Sequence, residues 1–514
     1  MRSLLLILLA AVTYTNPIIY ADYSDPDAIR VGENYYMTSS SFNCFPGLQI
    51  LYSTDLVNWE IVNAALPKSY VSEQGVEHGN LVWAPSLRYH NDTYYIFWGD
   101  PDNGIYYIET KDIEGRWSEP TLLIEDKGLI DPCPYWQNDT LYIVHALAGS
   151  RAGLKSVLAM TTMVQDNDKW NLINQRLIYD GHGKNPTCEG PKIYQRNGWY
   201  YIFTPAGGVA TGWQLVLRSK NIYGPYEEKV VLSQGKTSVN GPHQGAWVTT
   251  PSGKDWFLHF QDVGPLGRIV HLQPMKWEND WPVIGNNGQP VQRYQAPENC
   301  KKQIKKQHKL IEFTEPQLDY SWQYPHSPDF RWHYCDAKDS ILRLFSYPIP
   351  ADSKNLWQQP NMLLRKIDAP KMTITAKVRF VPHEKIIGER AGMMIMGLDY
   401  AGVMMEKTAD GIDIYQACCK KADKGTKETQ SQHIKIQENK WLYLCIIINN
   451  NKATLAYSID NKTFNLIGEK FDIREGQWIG AKYGFVCTRP PLQSLKTRND
   501  GGWLDIDWLD IQYK

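Results

Sequence analysis

The chain reads as all-β, a five-bladed β-propeller followed by a β-sandwich, and three observations predict this. An aromatic strand core preceded by a turn signal recurs five times in the first 290 residues: "GENYYM" from Gly32, "NDTYYI" from Asn91, "NDTLYI" from Asn138, "NGWYYI" from Asn197 and "GKDWFL" from Gly253. The reference positions of these cores, Tyr35, Tyr94, Leu141, Tyr200 and Trp256, lie 59, 47, 59 and 56 residues apart, roughly a propeller-blade period. From about Asp319 onward, alternating strands and regular turns continue without a long helical period, as in a two-sheet sandwich.

Taken in order, Met1 and Arg2 precede the apolar "SLLLILLAAV" and the small residues Ala10 and Ala11. This is the pattern of a cleaved secretory signal, assigned to residues 1–15, and it implies a secreted or periplasmic protein. An apolar first strand is the alternative. The run is too short to span a bilayer, so no membrane insertion is expected.

Residues 16–295 form the propeller. Each core is followed by a second strand-like run and a closing turn, as in "ILYSTDLVNWE" and "LVLRSKNIYGPY". Counting back from the reference positions, Asp25, Ala84 and Asp131 each precede theirs by 10 residues, Glu189 by 11 and His243 by 13. The first strand of every blade lines the central axis, so these five residues are expected at one end of one funnel. A single Asp-Pro is explained by turn formation. Three acids at equivalent positions of three repeats are not, because convergent carboxylates are costly to bury unless paired, hydrogen-bonded or used.

The rest of the composition narrows the partner. With 54 basic and 55 acidic residues there is no electrostatic argument for nucleic acid or an anionic membrane surface. The 19 Trp and 31 Tyr offer flat faces suited to the C–H faces of sugars. Nine scattered cysteines without a CxxC pair indicate neither a disulfide framework nor a structural zinc site. Glycoside hydrolysis needs one carboxylic acid to protonate the leaving oxygen and one carboxylate to activate water or attack. A third carboxylate nearby would raise the acid's pKa. Spacing alone leaves inverting and retaining outcomes open.

The ordered stretches "NPIIYADYSDPDAIRVGENYYMTSSSFNCFPGLQILYSTDLVNWE", "LVWAPSL", "IDPCPYW", "CEGPKIY" and "GRIVHLQPMKWENDWPVIG" resemble glycoside hydrolase family 43 over nearly the whole chain. The resemblance implies that Asp25 is the general base, Glu189 the general acid and Asp131 the residue that tunes and orients the acid, with inversion of configuration. It places Phe42 beside the sugar ring, Trp83 and Ala84 at the innermost subsite, and Arg268 on the sugar or a catalytic carboxylate. Asp22 and Asp27 are read as structural. His243 lies near the axis, where members of the family often hold calcium or a water cluster. A water-mediated structural calcium is therefore one expectation there, and no cofactor is required for catalysis.

Residues 296–318, with five lysines between Lys301 and Lys309, read as a solvated linker, and residues 319–514 as the sandwich. The opening "LDYSWQYPHSPDFRWHY" and closing "WLDIDWLDI" resemble the sandwich of one branch of the family, which would bind polysaccharide, place a loop at the propeller mouth, or simply stabilise it. Trp322, Trp332 and Trp357 are candidate binding aromatics, with core packing as their ordinary fate.

The leading functional expectation is an exo-acting α-L-arabinofuranosidase acting on arabinoxylan, arabinan or xyloglucan side chains, an inclination drawn from the "FNCFPG" stretch and the paired sandwich. A β-D-xylosidase on the same scaffold is the first alternative. A non-catalytic sugar-binding propeller and a retaining fructan- or sucrose-processing enzyme are the others.

Overall fold

The computed structural model describes residues 12–71, 75–167, 169–492 and 500–514. Five four-stranded antiparallel sheets, each made of consecutive strands, form the propeller. The first blade runs through Asp27–Val31, Asn34–Thr38, Gly47–Ser53 and Glu60–Leu66. The innermost strands of the other four are Trp83–His90, Leu129–Gln137, Lys192–Arg196 and His243–Thr249.

The turn signals act as hairpin chemistry. Asn91–Asp92, Asn197–Gly198 and Asn279–Asp280 all have φ between 47° and 71°, the left-handed pair that a two-residue hairpin needs. The aromatic cores act as packing. In each second strand, successive side chains point to opposite faces and serve different blade interfaces. Tyr35 packs towards blade five and Tyr36 towards blade two, while Ile96 and Phe97 divide between blades one and three. Ile202 and Phe203, and Leu258 and Phe257, divide in the same way. A strand buried on both faces reads as a continuous apolar run, which is why the repeat is visible as "YYIF" rather than as alternation.

The ring is closed by the N-terminal segment. Thr13–Thr15 pairs antiparallel with Arg293–Gln295, and Tyr14 is fully buried. The Asn16 side chain bonds the Leu272 and Val291 carbonyls and the Leu272 N–H at 2.7–2.8 Å. The signal assigned to residues 1–15 therefore needs correction at its end, since Thr13–Thr15 is part of the propeller. The apolar leader before residue 12 lies outside the described residues.

The second domain packs a nine-stranded sheet on an eight-stranded one around a large apolar core, with a second cluster about Met394, Tyr400 and Tyr415. Its first strand is His308–Glu312, paired with the last, Trp503–Tyr513. The linker expected over 296–318 is thus shorter than read, because a polar edge strand 200 residues from its partner carries no local signal. Trp322 and Trp332 are 2% and 3% exposed in the sandwich core, and Trp357 stacks on His78 at the domain boundary.

The domains are stitched together. Phe45 and Tyr324 exchange backbone hydrogen bonds, the Gln323 amide donates to the Pro46 carbonyl, and the Asn43 amide donates to the Pro325 carbonyl. At Gly267, φ is +71° and an added Cβ would lie 2.3 Å from Asp22 Oδ1 and 2.5 Å from the Gly480 nitrogen of the sandwich. No helix of the described residues is long and apolar enough to cross a membrane.

Candidate active site

The mouths of the blades are built by bulges. The pairing of inner strands slips by one extra residue between Ile130 and Cys133, between Trp83 and Ser86, and between His243 and Gly245. Such insertions bend a strand and re-aim its side chains, and they sit where Asp131, Ala84 and His243 were expected to converge. Asp131 and Asp25 themselves adopt φ of 57° and 54°, a conformation Asp tolerates better than most residues.

Asp25 is buried and doubly held. The Ser40 hydroxyl donates to its Oδ2 at 2.5 Å, and Arg268 Nη1 lies 3.2 and 3.4 Å from its two oxygens. Arg268 is 8% exposed and lies 5.0 Å from the Phe260 ring centroid. Its backbone N–H donates to Asp22 Oδ1 at 2.8 Å, so Asp22 positions the arginine. Asp27 is fully buried and ion-paired with Arg88 at 2.6 Å, tying blade one to blade two. The crowding of acids around Asp25 thus resolves into one carboxylate at the funnel and two that brace the scaffold.

Asp131 is also buried, and its Oδ2 accepts the Gly190 N–H at 2.7 Å. This bond joins the third blade to the residue following Glu189. Burial and, after it, the Asp25 charge push the Asp131 carboxyl up to about 7, against the Gly190 bond, Lys192 and Arg268. Burial first, then Asp131 and Asp25, push Glu189 up to about 8, with Arg268 and Lys155 opposing. The Glu189 side chain keeps 26% exposure and lies 3.6 Å from His243 Nε2. Burial and the Arg268 charge lower His243 to about 3, so at neutral pH this imidazole is uncharged and adds no cation to the site.

Gly190 has φ of +56°, and an added Cβ would lie 2.5 Å from the buried Gln244 side chain. Gly190→Ala is expected to cost about 1–3 kcal/mol of stability and to lower kcat by displacing the N–H that holds Asp131. Denaturant unfolding and initial rates, measured on the same preparation, check both effects. Unchanged values would mean the loop shifts freely.

The aromatic wall follows. Phe42 (φ +50°) bridges to Val82 through its backbone and meets Trp83 edge to face at 6.3 Å. Trp83 donates to the Gly79 carbonyl at 2.8 Å, and Ala84 beside it is buried. Facing Trp83 at 6.4 Å is Trp478, from a sandwich loop, 49% exposed with φ of +63°. The loop residues Glu475–Ile479 line a pocket of about 220 Å³ together with Asp262 and Arg268 of the propeller. Trp478, Ser40 and Lys192 went unnoticed in the sequence. The fully buried Lys192 ammonium donates to Pro85 O and Ser86 Oγ at 2.7 Å.

Calcium prefers six to eight oxygen ligands. His243 offers nitrogen, and both its ring nitrogens are buried without a hydrogen-bond partner. Among the described residues no group of three or more His, Cys, Asp or Glu side chains is arranged to hold a metal ion. A calcium ion here would have to take its oxygen ligands from water.

Residues 14–282 match the family described as Glycosyl hydrolases family 43, and residues 311–512 match its Beta xylosidase C-terminal Concanavalin A-like domain. A putative beta-xylosidase from Xylanibacter ruminicola is 36% identical over 490 residues, covering 93% of this chain and 86% of that protein. The non-reducing end alpha-L-arabinofuranosidase BoGH43B from Bacteroides ovatus is 27% identical over 421 residues, covering 76% and 75%. The crystal structure of the GH43 protein BlXynB from Bacillus licheniformis shares the fold with a TM-score of 0.82 at 24% identity, over 98% of this chain and all of that one. With a catalytic and an accessory domain matched in order along one chain, the protein belongs to glycosyl hydrolases family 43 and is a glycoside hydrolase.

Proposed function

We propose that the protein is an exo-acting, inverting glycosidase that removes terminal β-D-xylosyl units from xylan or its oligosaccharides. The observation that carries this reading is the contrast between two carboxyls at one funnel. Asp25 is clasped by Arg268 and Ser40, while Glu189 is pushed up to about 8 and stays protonated at neutral pH. Glu189 gives its proton to the glycosidic oxygen as the C–O bond breaks. Asp25 takes a proton from water, whose oxygen bonds the anomeric carbon from the opposite face. Burial first, and then the neighbouring Asp131 and Asp25, keep Glu189 raised, and the Gly190 contact of Asp131 aims it. Phe42, Trp83 and Ala84 form the sugar wall, and His243 stays a neutral neighbour of the acid. Catalysis is assigned to these side chains without a metal. The sandwich loop at Trp478 closes one side, which suits removal of end units over cutting within a chain.

Xylose is supported by the 36% identical relative. Terminal α-L-arabinofuranosyl units are the second reading, favoured by the relative from Bacteroides ovatus. Hydrolysis of 4-nitrophenyl β-D-xylopyranoside and α-L-arabinofuranoside decides between them by kcat/KM. Proton NMR of the first-formed product from a β-xyloside is expected to show the α-anomer. A β-anomer would make the reaction retaining and remove Asp25 from the role of base.

A further inference from the structure

A crevice of about 600 Å³ runs between the propeller and the sandwich, and none of its lining residues belongs to the three-carboxylate site. Tyr20 and Trp59 contribute from the propeller, and Tyr320, Arg365 and Asp368 from the sandwich side. Tyr20 and Tyr320 are 40% and 41% exposed and line the same cavity.

The crevice also holds an unsatisfied donor and an unsatisfied acceptor. Arg365 is 7% exposed, and its buried Nη1 has no hydrogen-bond partner, the Asp319 carboxylate standing off at 3.6 Å. Asp368 Oδ1 is likewise buried and unpartnered, although Oδ2 accepts from Lys306 Nζ at 2.6 Å and the Tyr513 hydroxyl at 3.0 Å. Buried polar atoms left unpaired are rare, because each forfeits its hydration. Hydroxyl groups match both, accepting from a guanidinium and donating to a carboxylate once the side chains that cover these two atoms move aside. Flat phenol and indole faces beside them suit the apolar face of a sugar ring. The charged lining groups nearly cancel, Lys306, Lys309, Arg365 and Lys366 against Glu60, Asp319 and Asp368, with Lys306 paired to Asp368 at 2.6 Å and Arg365 near Asp319 at 3.6 Å, so the crevice favours a neutral ligand over a charged one.

We infer that this crevice is a second carbohydrate site, which holds a neutral pentose oligosaccharide chain away from the catalytic carboxylates. The choice of sugar rests on the glycosidase reading. The site would retain polymer at the enzyme while the funnel processes chain ends.

Affinity electrophoresis of the full chain through gels containing soluble arabinoxylan tests this, with hydrolysis of 4-nitrophenyl β-D-xylopyranoside followed in parallel. The wild type is expected to be retarded. In a Tyr20→Ala, Tyr320→Ala double variant, the Kd for the polymer should rise roughly tenfold while kcat/KM on the aryl glycoside is unchanged. Arg365→Gln should weaken retention in the same direction, and circular dichroism confirms that each variant is folded. Equal retardation of wild type and double variant, or none in either while the aryl glycoside is cleaved, would overturn the inference and leave ordered water as the partner of Arg365 and Asp368. Loss of all hydrolysis with retention intact would count against the glycosidase reading and not against the crevice.

Discussion

Glu189→Gln is expected to lower kcat on xylo-oligosaccharides by about 10²–10⁴-fold, and to lower it far less on an aryl glycoside whose leaving group needs little protonation. The comparison of leaving groups is the measurement. A uniform loss would mean Glu189 binds or orients and does not donate the proton. In the wild type, kcat/KM should fall as pH rises through about 8, where Glu189 loses its proton, and the variant should lack that limb. The same carboxyl affects stability. The folded protein keeps its proton up to about 8 and the unfolded chain only to near 4.5, so between those values the folded state binds more protons and loses stability as pH rises. Glu189→Gln should therefore have a higher Tm than the wild type at pH 8, with the difference vanishing near pH 4.

Asp25→Ala should cost at least as much, about 10³-fold or more in kcat, and equally for good and poor leaving groups, because water must be activated in either case. It also leaves Arg268 buried without its carboxylate. Breaking a buried pair by removing one member typically costs about 3–5 kcal/mol. Asp25→Asn retains a partner for Ser40 and should be inactive with a smaller stability loss. Steady-state kinetics with three leaving groups, paired with denaturant unfolding, separates the roles. Residual activity that tracks leaving-group quality in Asp25→Ala would reassign this residue to proton donation.

What could be read from the sequence was local or periodic. The Asn-Asp and Asn-Gly hairpin turns, the doubly buried "YYIF" strands and the carboxylates before them repeat within single blades, so a count along the chain recovers the propeller and the convergence of Asp25, Asp131 and Glu189 at its mouth. What escaped depends on long-range contact. Ser40 is an unremarkable serine until folding brings it to Asp25, and Trp478 reaches Trp83 from 395 positions away. Thr13–Thr15 looked like the end of a leader because its partner, Arg293–Gln295, lies at the other end of the domain. "HKLIE" looked like linker because three of its five residues are polar or charged on an edge strand. His243 raises the expectation of a metal by its position on the axis alone, with no oxygen donor of its own.

The backbone contact of Gly267 with Gly480, one residue before Arg268, gives the accessory domain a stake in the chemistry. Two folds that appear separable along the sequence share a wall at the proposed sugar pocket, and the arginine on Asp25 is anchored in that wall. Exchanging the sandwich for another module, as is done with tethered binding domains, would therefore remodel the reaction centre itself.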